Sequence, residues 1–360
     1  MLKSRLLALP AVRSSKTLLK QTSRGFSLTR AIRNDTAAGP DSGNLFDPHR
    51  TVAHPPSPIK KQKTVGETQP NYVLTLSCKD QPGIVHAVTG LIANEFTGGN
   101  ILDSAQFGDA STGRFFMRVH YSLPNQDAST LQTMRESVES KVGDRFDMTW
   151  QLHDAQVKPR VMILVSKIGH CLNDLLFRHS TGQLPIDIAC IVSNHRDFYQ
   201  LAASYNIPFH HLPITQESKQ QQEDRIWELH QQEKIDLLVL ARYMQILSPE
   251  MCRRVSGKAI NIHHSFLPSF KGAKPYFQAF DRGVKLVGAT AHFVTSDLDE
   301  GPIIEQGIER VDHTHDVKAL TTVGSTTECI TLARAVKWFA ERRILMNATE
   351  GGTTKTVIFR

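Results

Sequence analysis

Val161-Met162-Ile163-Leu164-Val165 is a run of five apolar residues without a polar break, and its reading decides the fold. A strand with one wet face alternates apolar and polar residues, so an unbroken run belongs to a strand buried on both faces. Helical spacing follows over 171–177, a second apolar strand over 186–192, a helix over 198–205 and another apolar strand over 237–240. Apolar strands alternating with helices predict an α/β domain built on a parallel sheet with helices on both faces. Sheets of this kind bind ligands beyond the C-terminal ends of their strands.

Upstream the pattern differs. A strand-like segment over 72–78 ends at the turn Asp80-Gln81-Pro82-Gly83, after which Ile84, Val88, Leu91 and Ile92 fall at helical spacing. Phe115, Met117, Val119 and Tyr121 alternate with Phe116, Arg118, His120 and Ser122. Leu131, Met134, Val138 and Val142 then share a helix face, and Met148, Trp150 and Leu152 close with a last alternating strand. This order predicts a small ferredoxin-like α+β unit over 71–154 and a second domain over 160–360, each with its own core. No internal repeat is present.

The chain has 360 residues and a formal charge of +7. That charge is not spread over a surface. Lys3, Arg5, Arg13, Lys16, Lys20, Arg24, Arg30 and Arg33 fall in residues 1–34, which contain no acid; without these eight the remainder carries −1. A nucleic-acid-binding role is therefore not expected. The acid-free, Arg-rich and Leu-bearing segment over 1–33 reads as a presequence for the mitochondrial matrix, and the Pro- and Lys-rich stretch over 34–70 as a disordered linker. No run of eighteen apolar residues predicts a membrane span. Five cysteines without a Cys-x-x-Cys pair predict free thiols rather than a disulfide framework or a zinc site, in keeping with a reducing compartment. Without a Gly-x-Gly-x-x-Gly or Walker pattern, nothing points to a nicotinamide or ATP cofactor.

The chemistry is carried by Asn261-Ile262-His263-His264-Ser265-Phe266-Leu267-Pro268-Ser269-Phe270. Alternation along a strand sends Asn261 and His263 to one side and Ile262 to the core. A side-chain amide can stabilise a developing oxyanion, and an imidazole can pass a proton to a leaving group. From His292 to Ile304 carboxylates crowd a turn closed by Gly301 and Pro302, where one of them can orient that imidazole. Taken alone, Asn-x-His at a strand end is more often hydrogen-bonded structure than catalytic machinery.

With Val239-Leu240-Ala241-Arg242-Tyr243-Met244-Gln245-Ile246-Leu247-Ser248-Pro249 ahead of them, these two segments resemble the formyltransferase-type folate enzymes. Within that group, three features are most similar to the formyltetrahydrofolate deformylases: the pair His263-His264, the segment Phe270-Lys271-Gly272-Ala273-Lys274-Pro275-Tyr276 and the run Val287-Gly288-Ala289-Thr290-Ala291-His292. The resemblance extends from about Asn71 to the C-terminus. It implies a Rossmann-like formyltransferase domain preceded by an ACT domain, whose opening Asp80-Gln81-Pro82-Gly83-Ile84-Val85 resembles. Such modules bind amino acids or pair sheets edge to edge, so an amino-acid effector and a homo-oligomer are implied. Asn261, His263 and Asp299 match the catalytic group. Leu240, Met244, Ile246, Leu247, Val294, Asp297 and Leu298 match the pteridine pocket. His264 replaces a proline of the transferases and is read either as positioning water or as structural; Gln245 stands where relatives often carry Arg.

The segment Ser166-Lys167-Ile168-Gly169-His170-Cys171-Leu172-Asn173-Asp174 lacks the glycines with which glycinamide ribonucleotide transferases cradle phosphate. Water is then the expected acceptor. The implied reaction is metal-free hydrolysis of 10-formyltetrahydrofolate to tetrahydrofolate and formate, with folate and water as the partners and no cofactor. Three competing readings stand beside it: formyl transfer to an amine, an amino-acid sensor with an inert catalytic domain, and a metal-dependent hydrolase using Asp312-His313-Thr314-His315-Asp316.

Overall fold

The computed structural model describes residues 69–124, 130–215, 217–267, 275–349, 352 and 354–360. The presequence reading, the linker reading up to residue 68 and the 268–274 part of the deformylase-like segments lie outside these residues.

The first domain contains β1 (Asn71–Lys79), α1 (Ile84–Gly90), β2 (Asn100–Asp109), β3 (Arg114–Ser122), α2 (Thr130–Val138), the short α3 (Asp144–Phe146) and β4 (Thr149–Asp154). Its strands form one antiparallel sheet in the order β2-β3-β1-β4, the ferredoxin-like arrangement. Alternate residues of β1, Tyr72, Leu74, Leu76 and Cys78, face α1 and α2 and form a core with Val88, Ile92, Met134 and Val138. Gly83 precedes α1 at φ 94°, a left-handed conformation that suits a residue without Cβ.

The second domain runs β5 (Arg160–Val165), α4 (His170–Ser180), β6 (Asp187–Ser193), α5 (Tyr199–Ser204), β7 (Phe209–His211), α6 (Lys219–Gln232), β8 (Leu237–Leu240), α7 (Pro249–Arg254), β9 (Ala259–His263), α8 (Pro275–Asp281), β10 (Leu286–Phe293), β11 (Ile303–Arg310) and α9 (Val317–Ala340). A closing hairpin is formed by β12 (Ile344–Ala348) and β13 (Thr354–Ile358). The large sheet has the order β11-β10-β9-β8-β5-β6-β7. The Val161–Val165 run is its centre: Val161, Ile163 and Val165 pack against α4 and α9, while Met162 and Leu164 pack against α6 and α7. Five strands, β7, β6, β5, β8 and β9, are parallel.

The expectation of a wholly parallel sheet is corrected at one edge. There β10 runs antiparallel to β9, and β11 antiparallel to β10. The segment 294–302 between β10 and β11 is shorter than the dozen or so residues a parallel crossover requires, so β11 can only turn back on β10, whereas the longer 264–285 connection sets no such limit on β10 itself. The reversal of β10 against β9 has a functional result, because it lays His292 beside Asn261 in the cross-strand register.

Each domain has its own core, but a further cluster joins them. Phe116 of β3 packs with Leu345 of the hairpin and with Phe359. Arg118, 3% exposed, donates Nε and Nη2 to the Glu341 carbonyl at 3.2 and 3.0 Å and Nη1 to Asp103 at 2.8 Å. The Asn347 amide donates to Asp109 at 2.6 Å. Among the described residues no helix is long and apolar enough to cross a membrane.

Candidate active site

Strand β9 ends at His263, with Ile262 buried in the core and Asn261 and His263 lining a cleft of about 560 Å³. His292 on β10 fixes the first of these. Its Nδ1 donates to the Phe293 carbonyl at 2.9 Å, which leaves Nε2 to accept from the Asn261 amide at 3.2 Å. One amide hydrogen is thereby occupied, and the other has no acceptor among the described residues.

Asp299 sits in the 294–302 loop at φ 57°, a left-handed conformation that L side chains adopt at a cost. Its two oxygens lie 3.2 Å from His263 Nδ1, within hydrogen-bonding distance, and 3.7 Å from His292 Nε2, too long for a hydrogen bond. Burial acts to raise the Asp299 pKa, but the imidazoles of His263 and His292 outweigh it and hold the carboxyl well below the usual carboxylate range. The loop depends on Gly301, where a Cβ would sit 1.7 Å from the Phe293 carbonyl oxygen. With Nδ1 directed at Asp299, the other nitrogen of His263, Nε2, has no hydrogen-bond partner among the described residues.

A second polar group stands behind His263. Glu328 on α9 is 1% exposed; it accepts from His170 Nε2 and from the Tyr276 hydroxyl, both at 2.7 Å, and lies 3.4 Å from Arg242 Nε. Burial works to raise its pKa, and these three neighbours more than offset that, keeping the carboxyl ionised. Gly324, one helical turn before Glu328, makes the contact with Tyr276 feasible: a Cβ there would meet the tyrosine hydroxyl at 2.0 Å. A mid-helix glycine costs about 1 kcal/mol relative to alanine, and here the close approach requires it. The ring of His264 lies 5.1 Å from that of His263 and 6.4 Å from that of Tyr276. Burial, then the charges of Arg242 and His263, push its pKa down to about 4, so His264 is neutral at physiological pH.

All seven residues matched to a pteridine pocket line the same cleft: Leu240, Met244, Ile246, Leu247, Val294, Asp297 and Leu298. Leu240 and Leu247 are buried, whereas Met244, Ile246 and Leu298 are more than half exposed at the mouth. Gln245 is there as well. The expected Asn261, His263, Asp299 and His264 are thus brought together with them. The run 312–316 lies outside the cleft lining, and its side chains shape the turn into α9. Asp312 accepts from Thr314 and His315, and Asp316 caps α9 by accepting from the Ala319 amide at 2.7 Å. Among the described residues, the group of three His, Cys, Asp or Glu side chains close enough to share an ion is His170, Cys171 and Cys329 instead. All five cysteines are free thiols.

Sequence reading assigned no role to His292, Arg242, Tyr276, Glu328 or His170. For His292 the signal was the antiparallel register, visible only once β10 is known to turn back. For Glu328 it was available: an acid in the buried stripe of a helix, between Gly324 and Leu332, needs a partner.

The formyl transferase family model matches residues 159–336. The formyltetrahydrofolate deformylase of Corynebacterium sp. (strain P-1) is 47% identical over 293 residues, covering 81% of this chain and 99% of that one. The chain belongs to the formyltetrahydrofolate deformylase family. The deformylase of Bacillus subtilis is 45% identical, with 79% of this chain and 93% of that one aligned. A crystal structure of the deformylase from Burkholderia mallei superposes with a TM-score of 0.75 at 49% identity, covering 81% of this chain and all of that one. These family members span both domains, so the ferredoxin-like unit is part of the shared architecture and not an appendage to a lone formyltransferase fold.

Proposed function

We propose that this chain hydrolyses 10-formyltetrahydrofolate to tetrahydrofolate and formate. The observation that carries the reading is the His263–Asp299 pair in the cleft wall, with a buried and unpartnered Nε2 on His263 and the Asn261 amide beside it. Asp299 holds His263 in the tautomer with the proton on Nδ1, so Nε2 can take a proton from water as its oxygen attacks the formyl carbon. The formyl oxygen becomes an oxyanion, which the free Asn261 hydrogen stabilises. His263 then returns the proton to the departing folate nitrogen. His264, neutral and adjacent, can accept from the attacking water. No step calls on a metal ion or on a cofactor beyond the folate substrate, which the apolar mouth is suited to hold.

The test is to incubate the full chain with 10-formyltetrahydrofolate and a metal chelator, with and without glycinamide ribonucleotide. Stoichiometric formate in both arms is expected. Formyl transfer to the amine, or loss of activity to the chelator, would overturn the reading.

The ferredoxin-like unit is read as an ACT-type regulatory and assembly domain. Strand β2 supports assembly: it is a ten-residue sheet edge carrying exposed Leu102 and Phe107, which suits edge-to-edge pairing of two copies. The open space around Gly83 supports an amino-acid effector. Residues 1–33 are read as a mitochondrial presequence on composition, and a fluorescent fusion of this segment that stayed in the cytosol would refute that.

A further inference from the structure

Arg242 follows β8 at φ 63°, a left-handed turn fixed from the neighbouring strand. Its carbonyl accepts from the Ser166 amide at 3.3 Å, and the Met244 amide donates to the Ser166 hydroxyl at 3.0 Å. Arg242 lines the cleft, 8% exposed, together with His263, His264 and Tyr276. Its anionic neighbour there is Glu328, whose two oxygens already accept from Tyr276 and His170. At 3.4 Å the contact is an ion pair without a hydrogen bond, and Nε and Nη1 find no acceptor among the described residues. Each buried donor left in this way costs roughly 1–3 kcal/mol. A guanidinium with spare, planar-set donors is suited to a ligand carboxylate.

The reaction supplies one. In hydrolysis the formyl C–N bond breaks and a C–O bond to water forms; one water proton passes to the folate nitrogen, and the other leaves as formic acid ionises to formate. Transfer to an amine would instead exchange one neutral formamide for another. Both paths pass through a tetrahedral oxyanion, but only hydrolysis ends with a negative charge shared by two oxygens, so a fixed cation in the cleft wall favours the hydrolytic outcome over transfer and does little for the neutral substrate.

We propose that Arg242 is a specificity-determining residue that holds the two oxygens of formate as they form, and so favours water over an amine as acceptor. This rests on the deformylase reading above. Glu328, Tyr276 and His170 act as positioning residues that keep the guanidinium in place while leaving donors free.

The test uses the full chain and two inhibitors of unlike charge. Formate should inhibit the unmutated protein at least tenfold more strongly than formamide, its neutral analogue. In Arg242→Gln, formate inhibition should weaken at least tenfold while inhibition by tetrahydrofolate stays within about twofold. Arg242→Lys, with the charge but not the fork, should fall between. With hydroxylamine added as a small amine, the ratio of formate to formyl hydroxamate should drop in Arg242→Gln. Equal inhibition by formate and formamide in the unmutated protein would overturn the proposal, as would unaltered formate inhibition in the glutamine variant or parallel loss of formate and tetrahydrofolate binding. Binding of ¹³C-formate followed by NMR reads the anion site without turnover, so an absent deformylase activity would be recognised separately.

Discussion

The two walls of the cleft are built in opposite ways. The apolar mouth comes from two short stretches, 240–247 and 294–298, whose side chains are neighbours in sequence. The polar back wall draws on four separate elements: Arg242 after β8 and Tyr276 on α8 line the cleft, and behind them stand Glu328 in the middle of α9 and His170 at the start of α4. Contacts in the mouth are interchangeable, since apolar surface is non-directional. Those in the back wall are not, since a buried charge needs a specific partner at a specific place. Mutations in the two walls should therefore fail in different ways.

The largest effects are expected where the walls meet. Asn261→Ala and Asp299→Ala should each lower kcat by about 10²–10³ while changing folate affinity little. Because His263 and Asp299 act as one unit, the double alanine variant should be clearly less impaired than the product of the singles, as measured by steady-state formate release.

In the back wall, Glu328→Ala should show first as instability. It leaves Arg242, His170 and Tyr276 without their acceptor, and removing one partner of a buried pair typically costs about 3–5 kcal/mol, which thermal or urea unfolding would read. Unfolding at unchanged denaturant concentration would mean that the network is dispensable. In the mouth, Met244→Ala and Leu298→Ala should raise KM a few-fold and leave kcat near normal, because both side chains are largely exposed and bind ground and transition states alike. A drop in kcat at either position would erase the distinction between the walls.

The smallest effect concerns pH. His264 has its pKa pushed from 6.5 to about 4 in the folded state. Between those values the unfolded chain binds the extra proton, so stability should decline as pH falls through this window and recover above it. His264→Gln should flatten that slope in urea titrations; an unaltered slope would show that His264 is not held neutral.

The same division governs what the sequence discloses. The parallel core was legible because Val161–Val165 and the other apolar runs report burial on both faces, and the mouth and the Asn261–His263 pair because strand alternation and resemblance both act locally. The antiparallel edge was not, since β10 carries the same apolar pattern in either direction and the 264–285 connection is long enough for both; the short 294–302 connection fixes only β11 against β10. With β10 undirected, His292 had no reason to meet Asn261. Arg242 read as one residue of a resembling motif because its partner lies 86 positions away. The hairpin β12–β13 was missed as well; it makes the domain boundary at residue 160 less clean than composition implies, since Leu345 and Phe359 pack on Phe116 across it.

His263 is the group that moves the proton in this mechanism. The most direct measurement is turnover of His263→Ala in chelator-treated buffer, with tetrahydrofolate affinity measured on the same preparation. A loss of about 10²–10⁴ in formate release with folate affinity within a few-fold of normal is expected. Near-normal turnover in that variant would contradict it.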